Sequence, residues 1–144
     1  LMMMLALGSI TKSEVCEFRC TMEKSVCSML IEKGISFECQ VLLEDNLTRM
    51  EQADGSELVS VDKEFHELLI RATENELFSM IMEAVMIVYR EWIDLVLRRV
   101  NTKEKANLLN YHKQIYNSVL ERDEAAMKAA VDGHYHLISQ MLAL

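Results

Sequence analysis

Apolar residues recur every three or four positions along nearly the whole chain, the rhythm of helices packed on one face. Val15, Met22, Val26 and Leu30 carry it through the first stretch, Leu58, Phe65, Leu68, Leu69 and Ala72 through the third, and Leu108, Ile115 and Val119 through the fifth. No segment shows the sustained period-two alternation of a half-buried strand. Capping signals divide the pattern into six predicted helices. Thr11 and Glu14 form a T-x-x-E capping box that opens a helix from Lys12 to about Lys33, and Gly34 stops it. A second helix covers roughly Phe37 to Ala53 and ends at Asp54-Gly55, and a third starts after Ser56 and reaches about Thr73. Asn75 caps a long fourth helix reaching Val100. Thr102 is the predicted cap of a fifth, ending near Arg122. Asp123 caps a sixth that runs to about Met141, with Glu124 placed favourably for the helix dipole. The expected architecture is all-α: a single antiparallel bundle of about six helices forming one domain over residues 1–144.

Composition narrows the picture. The chain has 144 residues, 51% of them hydrophobic, with eleven methionines, four glycines and no proline, which favours helix throughout. A formal net charge of −8 argues against the chain itself holding nucleic acid, which requires a basic face. The opening LMMMLALGSI is apolar but lacks a basic flank and is too short to span a bilayer. The apolar run from Leu77 to Tyr89 is interrupted by Glu83 and reads as a core helix or a dimer face, so no membrane association is expected. Because the chain begins inside an apolar segment, it is expected to be a domain cut from a longer protein. Cys16, Cys20, Cys27 and Cys39 contain no CxxC spacing, and reduced thiols in a cytoplasmic protein are expected.

Candidate chemistry comes from polar residues on the wrong side of their helices. With Val61 at zero on a helical wheel, Leu68, Ala72, Phe65, Leu58 and Leu69 lie between about −20° and 80°, Asp62 near 100°, His66 near 140° and Ile70 near 180°. Lys63, Glu64, Glu67 and Arg71 fill the opposite side. Asp62 and His66 are therefore i, i+4 neighbours within the uncharged sector. In the fifth helix His112 is centred among Leu108, Ile115, Tyr116 and Val119; in the sixth His134 is centred among Met127, Ala130, Val131 and Ile138, while His136 points to the other side. In the first helix Arg19 lies among Val15, Met22, Val26 and Leu30, with Glu23 one turn on.

Each of these residues also has a plainer reading. A lone inward histidine is ordinarily a core imidazole with a hydrogen-bond partner. Asp62 with His66 reads equally as a charged pair, and Arg19 with Glu23 as a buried ion pair contributing little stability. Taken together, three histidines and one aspartate on three apolar faces would need four separate partners, whereas one divalent ion satisfies all four. Nitrogen and carboxylate donors suit zinc, nickel, iron or manganese and disfavour calcium and magnesium. A sensor, a metal-dependent hydrolase and a purely structural metal bundle all remain open on these residues alone.

The same residues resemble a known family. EFRCTME, from Glu17 to Glu23, is similar to an E-x-R-x-x-x-E motif; DKEFHELLIRATENELF, from Asp62 to Phe78, is similar to D-x-x-F-H-x-x-L-x-x-A-x-x-N-x-x-L. HKQIYNSVLERDEAA, from His112 to Ala126, matches H-x-x-I followed by an Arg-Asp pair, and His134 follows His112 at the family's usual interval. These motifs resemble the C-terminal ligand-binding (FCD) domain of FadR-type GntR transcription regulators, over about residues 12 to 140. The resemblance implies that Asp62, His66, His112 and His134 hold a divalent metal at the floor of an internal metal and ligand pocket within the bundle, that Arg19 lines this pocket and receives a small carboxylate effector, and that the protein is a sensor and not an enzyme. It also implies a homodimer and a DNA-binding winged helix-turn-helix N-terminal to this region. Nothing in these residues looks like that reader, so DNA binding is expected only through a missing N-terminal domain. Asn75 matches a family position too, but its place before a helix reads as a cap.

Overall fold

A computed structural model describes residues 8–143. They form six helices: α1 Lys12–Lys33, α2 Phe37–Gln52, α3 Gly55–Ala72, α4 Glu76–Leu97, α5 Thr102–Leu120 and α6 Glu124–Met141. The described residues contain no strand. The apolar opening at residues 1–7 lies outside the described residues.

The capping chemistry follows the sequence with one correction. Thr11 and Glu14 exchange the two bonds of a capping box at 3.0 and 3.1 Å. Asn75 Oδ1 accepts from the amides of Leu77 and Phe78, so this side chain is spent on its helix. The cap of α5 is Asn101 and not Thr102. Its Oδ1 accepts from the Glu104 amide at 2.8 Å, and Glu104 accepts from the Asn101 amide at 3.1 Å. An asparagine-led box one residue earlier uses both partners, whereas Thr102 has no Glu or Gln at the matching offset. α4 ends at Leu97, before Val100.

α1 is the hub and packs against α3, α4, α5 and α6. The pairs α2–α3, α3–α4 and α5–α6 pack across short connections, and α2 also meets α5. The core is one apolar cluster centred on side chains such as Phe65, Tyr89, Leu97, Ile115 and Met127. In α4 the broad apolar surface divides. Met82, Val85, Tyr89, Ile93 and Leu97 face inward, while Leu77, Met80, Ile81, Ile87 and Leu95 are exposed. Val85 therefore serves the core of this chain.

Two glycines set helix positions. Gly34 ends α1 with φ +83°, and the Arg122 guanidinium occupies the place a Cβ would take, 2.7 Å away. Gly133, in α6, lies under the Tyr111 ring of α5. A Cβ there would stand 2.3 Å from the ring. This close approach brings together the residues that follow each of them, His112 and His134.

Candidate metal centre and ligand cleft

Asp62 and His66 come from successive turns of α3, His112 from α5 and His134 from α6. All four are buried, at 5, 3, 0 and 2% exposure. One donor atom from each lies within 4.8 Å of the others. His112 Nε2 is 3.1 Å from His134 Nε2 and 3.2 Å from Asp62 Oδ1, and His66 Nε2 is 3.6 Å from Asp62 Oδ1. Two donors bound to one ion at about 2.1 Å stand roughly 3.0 Å apart at a right angle and 3.4 Å apart at a tetrahedral one. The 3.1 and 3.2 Å spacings fall in that range, and the 3.6 Å spacing from His66 to Asp62 lies just above it. Asp62 Oδ1 is buried and, despite two imidazole nitrogens nearby, has no hydrogen bond. A buried acceptor left so is costly, and a cation at the point these atoms face would satisfy it. The donor set thus fits a divalent transition metal.

The packing around the cluster fixes its rings. Phe65 stacks on His112 with centroids 4.2 Å apart and planes 13° off parallel. Glu23, reaching in from α1, accepts from His66 Nδ1 at 2.8 Å and from the Tyr135 hydroxyl. In the neutral ring, a proton on His66 Nδ1 leaves Nε2 as the lone-pair nitrogen facing the cluster. The outer Nδ1 atoms of His112 and His134 meet no such group among the described residues.

The electrostatics divide the histidines. Burial depresses His112 and His134, His134 well below the usual imidazole value. Burial acts on His66 too, but Glu23 and Asp62 outweigh it and lift His66 to about 9. Burial would raise both carboxyls, yet the neighbouring imidazoles win: Glu23 falls to about 2 and Asp62 is held well below the carboxylate range.

Arg19 is 3% exposed, its guanidinium 4.1 Å from the Tyr89 ring centre and 5.6 Å from that of Tyr135. Its Nε has no hydrogen-bond partner, and among the described residues no carboxylate forms an ion pair with it. This corrects the reading of Arg19 and Glu23 as a pair: Glu23 turns instead to His66 and Tyr135. The wheel placed Glu23 inward, but a wheel does not say which helix it faces. Tyr135 went unnoticed because the stripe centres on its neighbour His134. Arg19 and His66 share one wall of a cleft of about 690 Å³, with Ile70, Met82, Met86 and Arg90. His136 is exposed and stands apart.

The fold and this cluster define an all-helical domain that holds a buried set of metal-type donors at the side of a cleft. A model of the FCD domain family matches residues 14–137, and the chain belongs to that family. The chain is also similar to the "Uncharacterized HTH-type transcriptional regulator YcbG" of Bacillus subtilis (strain 168), 23% identical over 138 residues. That alignment covers 96% of this chain and 54% of the relative, so the chain spans about half the relative's length. No solved structure matches the chain.

Proposed function

We propose that this chain is the effector-sensing domain, over residues 1–144, of a FadR-type GntR transcription regulator that binds a divalent metal and a small organic acid. The observation that carries the reading is the convergence of four buried donors beside a cleft lined by an arginine that has no carboxylate partner among the described residues. Membership of the FCD family and likeness to a protein named as an HTH-type regulator support a regulatory role over an enzymatic one. Asp62, His66, His112 and His134 would hold zinc, nickel, iron or manganese, which when bound supplies an electrophilic anchor for carboxylate oxygens. Arg19 offers the acid a planar guanidinium already stripped of water and free of a protein carboxylate. Glu23 holds His66 in one tautomer, and Phe65 holds the His112 ring.

α1 bears Arg19 and Glu23 and touches four other helices, so an acid that pulls on Arg19 shifts the hub of the bundle. In a homodimeric, cytoplasmic regulator that shift would change the separation of two DNA readers lying N-terminal to this domain. It does so only to the extent that the acid binds the two arrangements with different affinity. No helix among the described residues is long and apolar enough to cross a membrane.

Calorimetric titration of the zinc-loaded chain with a panel of carboxylic acids, followed by chromatography of the mixture, tests this. Saturable binding with the acid recovered unchanged is expected. Turnover of the acid would make the site an enzyme's, and binding of metal without any acid would make it structural.

A further inference from the structure

Resting on the acid-sensing reading, we infer that the cleft takes a monocarboxylic acid with an apolar body, alkyl or aryl, and discriminates against polyhydroxy acids and polycarboxylates. Three features of the cleft lead there.

The first is charge. The buried ionic groups around the cluster are Arg19, Glu23 and Asp62. Ligating histidines are neutral. With a divalent ion bound, two carboxylates and one guanidinium leave a single positive charge in a dry interior. One carboxylate cancels it. A second buried carboxylate would leave an uncompensated anion, which a low-dielectric site penalises heavily.

The second is the wall. From Arg19 outward the cleft is faced by Ile70, Met82, Met86 and Ile87. Methionines adapt to irregular apolar shapes. Apart from Arg19 and His66, the charged lining groups belong to the exposed part of the cleft: Glu67 stands 3.3 Å from Lys63 and 4.0 Å from Arg71, all three side chains at least a third exposed, and Glu83 and Arg90 of α4 are exposed too. Ser79 is the hydroxyl among the lining residues. Along the inner wall of Ile70, Met82 and Met86, a sugar acid would set its hydroxyls against side chains that do not donate and scarcely accept. The third is size. A volume of about 690 Å³ is in the range that encloses drug-sized ligands, far more than a three-carbon acid fills.

The test is calorimetric titration of the chain, with and without zinc, using butanoate, hexanoate, octanoate and 3-phenylpropanoate against gluconate and citrate. Binding is expected to tighten about twofold to fourfold per added methylene. Gluconate and citrate should bind at least about tenfold more weakly than octanoate. Met86→Gln, at a half-buried wall position, should flatten the chain-length slope, with helical circular dichroism intact. Arg19→Ala should weaken octanoate binding about tenfold to a hundredfold, which separates the cleft from adsorption of an apolar tail elsewhere. A flat slope, gluconate or citrate binding as tightly as octanoate, or a slope that survives either substitution overturns this inference and leaves the acid-sensing reading standing. If none of the acids binds, both fall.

Discussion

The Nε2 atoms of His112 and His134 lie 3.1 Å apart, on helices that meet where the Tyr111 ring covers Gly133. Each histidine directly follows one member of that contact. The missing side chain at position 133 therefore sets the distance between two donors.

Gly133→Ala tests this coupling. The added methyl would stand 2.3 Å from Tyr111 Cε1, so the helices or the ring must move. Alanine gains helix propensity of about 0.5–1 kcal/mol, but overpacking costs roughly 1–3 kcal/mol and is expected to win. Lower thermal stability and metal affinity weakened by about tenfold are expected. Adding Tyr111→Ala should restore much of both; no recovery in the double variant would show that the contact does not govern the spacing.

Glu23→Gln tests the hydrogen bond behind His66. The amide presents a weaker acceptor and removes the charge that fixes the His66 tautomer. Metal affinity, measured by competition with a chromogenic chelator, should drop about tenfold to a hundredfold. An unchanged affinity would reduce Glu23 to a partner of Tyr135.

Arg19→Ala should separate the two ligands of the site. Its guanidinium lies in the cleft wall and makes no bond to the four donors. Acid binding should weaken roughly tenfold to a hundredfold while metal content stays constant. Loss of metal in this variant would make Arg19 part of the cluster's scaffold.

The metal-free protein should be most stable near pH 6.5. Below about 6.5 the unfolded chain takes up protons that buried His112 and His134 refuse, so stability falls with falling pH. His66 has the opposite sign: raised to about 9, its contribution is full below about 6.5 and is lost as pH climbs through 9. Glu23, lowered to about 2, adds stability that disappears only as pH falls from about 4.5 through 2. Thermal melts of chelator-treated protein from pH 5 to 10 should show a maximum with losses on both sides. With zinc bound His66 has given up its proton, and the alkaline loss should vanish. A melting temperature rising steadily from pH 6.5 to 9 without metal contradicts the assignment.

Much of this arrangement was legible because helix periodicity is a one-dimensional signal. The wheel set His134 inward and His136 outward, and marked Asp62, His66 and Arg19 as polar groups within apolar sectors. Which helices face one another is not written in any single period. The partner of Glu23 was therefore hidden: it lies 43 residues away on α3, and nothing local distinguishes it from Arg19, one turn back. Tyr89 supplies the platform under Arg19 from α4, where an apolar run masks its role. The Tyr111–Gly133 contact was invisible for the same reason, since a helix-interior glycine reads simply as a weak helix former. The Asn101 cap was within reach of the sequence, because its box partner Glu104 stands three residues on.

One ion should occupy the point faced by Asp62, His66, His112 and His134. Metal content of the purified chain, by inductively coupled plasma mass spectrometry, tests it against His134→Ala and His136→Ala prepared alongside. About one divalent transition metal per chain is expected in the parent and in His136→Ala, and almost none in His134→Ala. A parent chain without metal, or three proteins carrying equal amounts, would contradict it.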